Sequence, residues 1–202
     1  MEEIFCSFII SVGLLLLLIP KNKQKGGNNM LNIYNNKLKP CGDKNMSSGS
    51  WDNKKMCSEK DGGVHQICIK KISKNTPKFS STTGQSNWSD KRKDDNHCVC
   101  LGAWSLYNKK KSKKNKKNIL KCDAIPKISL SDNYISKFSE GWNKWNGLEL
   151  ENQIIDGVES MVKDCSKTTK KNKKNLLKNY CNFSKKHKIL NNTKFHKSNC
   201  KE

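Results

Sequence analysis

Apolar positions along this chain fall into a few short clusters separated by long polar stretches. The first cluster, residues 4–20 (IFCSFIISVGLLLLLIP), is broken only by two serines and a glycine. It is slightly longer than the ~7–15-residue hydrophobic region of a secretory signal and shorter than the ~20 residues of a comfortable spanning helix. The acidic MEE precedes it, the basic KNKQK comes after it, and no small-x-small cleavage site is visible. Residues 1–29 are read as a signal peptide or signal-anchor, with a gene-model extension upstream of Met30 as the third reading. A basic flank on the C-terminal side would place the downstream chain in the cytosol by the positive-inside rule.

Downstream, residues 30–41 look extended and lead into Pro40-Cys41. Residues 42–63 are rich in Gly, Ser, Asn and Asp and read as loops, with a turn at 61–63. The stretch VHQICIKKI (64–72) alternates loosely and is the best strand candidate. A polar loop is expected over 73–96. In CVCLGAWSLY (98–107), positions 98, 101, 105 and 99, 103, 106 share helical spacing, which predicts a short buried helix with a cysteine on each side. The clearest element is NGLELENQIIDGVESMVKDC (146–165), where Leu150, Ile154, Val158, Met161 or Val162, and Cys165 recur every three or four residues. Asn146 suits its cap, Glu149 and Glu151 suit its first turn, and Trp142 and Trp145 read as core or docking aromatics.

Charge changes this picture. Forty Lys and Arg against 18 Asp and Glu give a net charge of +22, and the hydrophobic fraction of 34% is low for a wholly globular chain. Residues 109–121 carry eight lysines and no acid, and 166–202 carry twelve lysines and one glutamate. Runs of this density repel and stay solvated. They predict a Lys-rich insertion at 109–118 and a disordered Lys/Asn-rich tail at 166–202. The second reading is attraction to a polyanion or an anionic lipid surface, through Lys109, Lys110, Lys111, Lys113, Lys114, Lys116 and Lys117 and through the tail. Few aromatics interleave the lysines, so no specific nucleic-acid readout is expected.

The ten cysteines are more than an ordinary intracellular chain of this size uses. In an oxidising compartment they form a disulfide framework, which argues against the cytosolic topology above. Cys6 lies in the apolar run, and Cys181 and Cys200 lie in the tail. Seven remain as disulfide candidates: Cys41, Cys57, Cys68, Cys98, Cys100, Cys122 and Cys165, enough for three bridges and one leftover thiol. Zinc held by His65, Cys68, Cys98 and Cys100 is the alternative; otherwise no cofactor is indicated. The C-x-C at 98–100 is a poor hook for one ion. Residues two apart point about 200° away from each other on a helix, and stand ~6–7 Å apart on a strand. Either arrangement suits two separate bridge partners better.

The motif order L-x-P-C (38–41), Cys57, D-G-G-V-H-Q-I-C (61–68) and H-C-V-C (97–100) resembles the uncharacterised family called domain of unknown function 2237. The likeness is greatest to secreted-looking eukaryotic relatives with F-C-x-x-T-G-Q-x-x-W-C and C-D-A-I segments. Here these read F-S-S-T-T-G-Q-S-N-W-S (79–89) and C-D-A-I (122–125). The resemblance implies a compact domain marked by His65, Cys68, Cys98 and Cys100. It also implies that Ser80 and Ser89 stand where two cysteines are expected, as loss of one bridge would leave them. It brings no activity, substrate or cofactor.

The expected architecture is therefore a small α+β, cysteine-rich, disulfide-stabilised single domain at 30–165, preceded by a targeting segment and followed by a basic disordered C-terminal tail. No phosphate-binding loop, nucleophile elbow or zinc-protease helix motif occurs, and no catalytic residues are assigned. Sequons stand at Asn45, Asn87, Asn182 and Asn191. The expected function is that of an extracytoplasmic binding or structural module, secreted or membrane-anchored by its N-terminus. Metal or thiol-redox chemistry and polyanion binding are the alternatives.

Overall fold

A computed structural model describes residues 30–42, 55–57, 65–92, 95–110, 118–131, 150–186 and 188–200. The apolar run 4–20, Asn146, Trp142, Trp145 and the turn at 61–63 lie outside the described residues. Among the described residues, no helix is long and apolar enough to cross a membrane.

Two three-residue strands, β1 (Ile67–Ile69) and β2 (His97–Val99), pair antiparallel with Cys68 opposite Cys98. Every residue of both strands is buried, because each face of the ribbon is covered. On the far edge of β1, Lys70 N donates to Ile119 O and Lys121 N to Cys68 O. Residues 119–121 thus satisfy the backbone groups that β2 leaves free.

The expected loop at 73–96 contains two single-turn helices, α1 (Ile72–Asn75) and α2 (Phe79–Thr82), and a 3-10 turn at Asp90–Arg92. Phe79 anchors them, with its ring 5.1 Å from Tyr107 and 6.2 Å from Trp88. Ser80 and Ser89 are fully buried and pair with each other. Their hydroxyls stand 3.0 Å apart, Ser80 N donates to Ser89 Oγ at 3.0 Å, and Ser89 N donates to Ser80 Oγ at 3.1 Å.

The helix expected from Cys98 begins later, as α3 (Leu101–Lys110). Cys98 and Val99 are drawn into β2, and the Cys100 carbonyl is the acceptor for Trp104 N at 3.0 Å. Helix α4 (Leu150–Cys165) lies along α3, with Val158, Met161, Val162 and Cys165 buried. The two helices approach most closely at Gly157, where a Cβ would lie 1.8 Å from Ser105 Oγ and 2.9 Å from Ser105 Cα. Beside it, Trp104 Nε1 donates to the Gly157 carbonyl at 3.2 Å.

The expected disordered tail is corrected over 170–200. Three helices occupy this stretch: α5 (Lys170–Ser184), α6 (Lys188–Asn191) and α7 (Lys194–Asn199). Thr169 caps α5, its hydroxyl accepting from Asn172 N, and Thr193 caps α7 by accepting from His196 N. Leu176, Tyr180 and Phe183, spaced four and three apart, are buried in the common core. Two asparagines of the low-complexity run also point inward. Asn175 Nδ2 donates to Tyr34 O and Asn179 Nδ2 to Ile33 O, holding α5 against the turn at 32–36. Burial of each large apolar side chain contributes about 1.5–3 kcal/mol. A like-charged pair four residues apart on the outer face costs only about 0.2–0.5 kcal/mol. The buried side therefore decides the outcome, and the domain runs to Cys200.

The result is a small cysteine-rich α+β domain. Among the described residues four disulfides tie it together: Cys41–Cys68, Cys57–Cys98, Cys122–Cys165 and Cys181–Cys200.

Candidate functional site

Two chemistries compete for the site, sulfur and positive charge. Six of the seven candidate cysteines are in bridges. Cys68 and Cys98 stand opposite each other across the ribbon, yet each bonds outward, to Cys41 and Cys57. The two bridges lie side by side, which brings the sulfurs of Cys41, Cys57 and Cys98 within 4.8 Å of one another. A bridged sulfur carries no thiolate to offer an ion. The proposed zinc set is therefore divided: Cys68 and Cys98 are staples, and Cys100 retains a thiol. His65 is half-buried beside β1.

Cys100 corrects the expectation of a second staple in the C-x-C. It is buried at the entrance to α3 while all the other described cysteines are already paired. His97 is buried on β2 with its ring 4.6 Å from Trp88, a packing role.

Outside this cluster, Ser184 Oγ and His196 Nδ1 approach to 2.6 Å, the pairing of a nucleophile and a base. Ser184 is fully buried, however, and the contact joins α5 to α7. It reads as a structural bond inside the helical layer.

The positive charge is organised differently from the expectation. Of the expected lysine run, Lys109 and Lys110 close α3, and Lys110 Nζ donates to Thr82 O. Lys111, Lys113, Lys114, Lys116 and Lys117 lie outside the described residues. The ordered positive face is on α5. At 3.6 residues per turn, Lys170, Lys171, Lys174, Lys178 and Lys185 fall within an arc of about 100°, directly opposite Leu176, Tyr180 and Phe183. All five are exposed. At 1.5 Å per residue the stripe is about 22 Å long. No acid occurs between Ser166 and Cys200, and none stands in the first turn of α5. Among the described residues, Lys170, Lys171, Lys174 and Lys178 take part in no ion pair.

Four lysines near a helix N-terminus oppose the positive end of the helix dipole as well as one another. The fold therefore holds a charge arrangement that is locally unfavourable until an anion meets it. The signals for this ordered face were the Leu176, Tyr180, Phe183 spacing and the Thr169 cap, both masked by the lysine density. Of the sequons, Asn87 and Asn182 are exposed, Asn191 Nδ2 donates to Lys185 O, and Asn45 lies outside the described residues.

Compared with protein-family models, curated proteins and solved structures, the chain matches none of them, and the resemblance to domain of unknown function 2237 rests on its motifs alone. The four disulfides are consistent with an extracellular or secretory-pathway protein.

Proposed function

We propose that this protein is an extracytoplasmic, disulfide-stapled binding module that docks on a sulfated glycan chain through the lysine stripe of α5. The observation that carries the reading is the stripe itself: four exposed lysines on one face of a helix, continued by Lys185 at its C-cap, with the opposite face locked into the core. A rigid row of ammonium groups loses less conformational freedom on binding than a disordered tail with the same charge.

The choice among polyanions rests on the surroundings of the stripe. Single-stranded nucleic acid is gripped by exposed aromatic side chains on which bases stack. Membrane-surface helices bury an apolar face in the lipid. Among the described residues, the only exposed large hydrophobic is Leu31. Disulfides favour an extracellular partner, where sulfated glycans are the abundant linear polyanions. A surface ion pair is worth about 0.2–1 kcal/mol. Five such contacts supply on the order of 1–5 kcal/mol, so the stripe alone binds at about 0.2 mM or weaker.

The test is titration of a sulfated oligosaccharide into wild type and into Lys170→Gln/Lys171→Gln/Lys174→Gln/Lys178→Gln. A control removes the same charge elsewhere, at Lys74, Lys78, Lys91 and Lys109. Tenfold or greater loss in the stripe variant with less than threefold loss in the control supports the reading. Equal losses, or no binding by wild type, overturn it.

A further inference from the structure

A cleft of about 320 Å³ opens beside the stripe, between the 3-10 turn Lys127–Leu130 and the last turns of α5. Lys127 stands on one wall and Lys186 on the other, with Asn182 beside Lys186. Leu130 and Phe183 line it from the core side and are 9% and 3% exposed. Among the described residues that line it, none is acidic. Asn179 shapes the wall but is already engaged, its amide donating to Ile33 O and to Asn35 Oδ1. Asn182 is exposed and its amide makes no hydrogen bond among the described residues.

Both walls are tied to the N-terminal segment 31–35, α5 through Asn175 and Asn179. Lys127 N donates to Leu31 O at 2.8 Å, and Asn32 and Pro126 form an isolated bridge, so the turn is tied to the N-terminal segment. The opposite wall is held by the Cys181–Cys200 bridge. The cleft therefore exists before a ligand arrives, which is what a site needs if it is to select a ligand as well as attract it. On the α5 surface, Asn182 lies at the margin between Lys178 of the stripe and Lys186 of the cleft, so a chain running along the stripe leads into it.

We infer that this cleft seats one acidic sugar unit of the bound chain, its anionic group between the Lys127 and Lys186 ammoniums, a hydroxyl or amide on Asn182, and its ring edge against Leu130 and Phe183. This rests on the glycan reading above and adds a selective subsite to it. The volume is at the small end for ligand pockets, which fits one or two sugar rings. The stripe supplies charge that any linear polyanion satisfies; the cleft asks for an anion carried on a compact ring.

The test uses oligosaccharides too short to span the stripe: a uronate disaccharide without sulfate, an O-sulfated disaccharide without uronate, and a neutral disaccharide. Binding to the full chain is followed by calorimetry and by the Asn182 side-chain amide resonances. One or both acidic disaccharides are expected to bind and shift Asn182, and which does so identifies the anion; the neutral one is expected to do neither. Lys127→Gln/Lys186→Gln is expected to weaken that binding at least tenfold, and the stripe variant to change it less than twofold. Loss of disaccharide binding in the stripe variant alone, or no acidic disaccharide bound at millimolar concentration while the long chain binds wild type, overturns the cleft and leaves the stripe standing. Failure of the long chain to bind wild type overturns the underlying reading instead.

Discussion

Gly157→Ala is the substitution whose sign the structure decides most sharply. Taken alone, a helix-interior glycine replaced by alanine gains about 1 kcal/mol of helix propensity. At this position the new Cβ would lie 1.8 Å from Ser105 Oγ, 2.6 Å from Ser105 Cβ and 2.9 Å from Ser105 Cα. A rotamer change can move the hydroxyl, but the Cα belongs to the backbone of α3, so the helices must separate. Overpacking of this kind costs about 1–3 kcal/mol. Separation also stretches the Trp104 Nε1 bond to the Gly157 carbonyl, worth about 0.5–1.5 kcal/mol. The contact costs exceed the propensity gain over most of these ranges, leaving net destabilisation of about 1–3 kcal/mol. Urea unfolding with the bridges intact, followed by tryptophan fluorescence, should show the lowered midpoint. Ser105→Gly added to Gly157→Ala removes the two shorter contacts and should restore part of the loss. A Gly157→Ala protein as stable as wild type or more so would refute the close approach of α3 and α4.

Removing the bridge with Cys181→Ser/Cys200→Ser opens a loop of sequence separation 19, a cost of about 3 kcal/mol on the chain-entropy model; amide exchange should accelerate in α5–α7 ahead of the strands, and uniform exchange would contradict the assignment. Ser80→Cys/Ser89→Cys should oxidise spontaneously and fold at least as stably as wild type. Ser80→Ala alone should lose about 1–3 kcal/mol in thermal melts by orphaning buried partners. Burial raises the phenols of Tyr34 and Tyr107 to about 12, from an ordinary value of 10.0. Because the folded value lies above the unfolded one, their contribution is complete below pH 10 and is lost as pH rises from about 10 to 12. Absorbance titration should show these two ionising late, together with Tyr180, whose phenol burial also raises.

What was legible in the sequence was local and periodic. The strand at 67–69 lies inside the run read as alternating, and α4 ends at Cys165 as its spacing required. At 98–100 helical and extended patterns overlap, and pairing opposite Cys68, a contact 30 residues away, gave Cys98 and Val99 to the strand. The bridge partners were not legible, because connectivity depends on which segments meet in space. The tail misled for a physical reason: average composition dominated the reading, while a helix needs only one buried face. In KKNKKNLLKNYCNFS four of the five lysines (170, 171, 174 and 178) occupy one side, and Leu176, Tyr180, Phe183 and Asn179 the other. The charge was visible from the outset, but its arrangement into a rigid stripe emerged only from the helix.

The measurement that bears most directly on the account is the salt dependence of sulfated-glycan binding by wild type and by Lys170→Gln/Lys171→Gln/Lys174→Gln/Lys178→Gln. On nucleic acids each neutralised phosphate contributes about 0.7–0.9 to the slope of log K against log salt. On that scale the four substitutions should flatten the slope by about 3, while the fold is kept or slightly stabilised as repulsion along α5 is relieved. Equal slopes for the two proteins, or binding indifferent to salt, would contradict the claim that α5 carries the site.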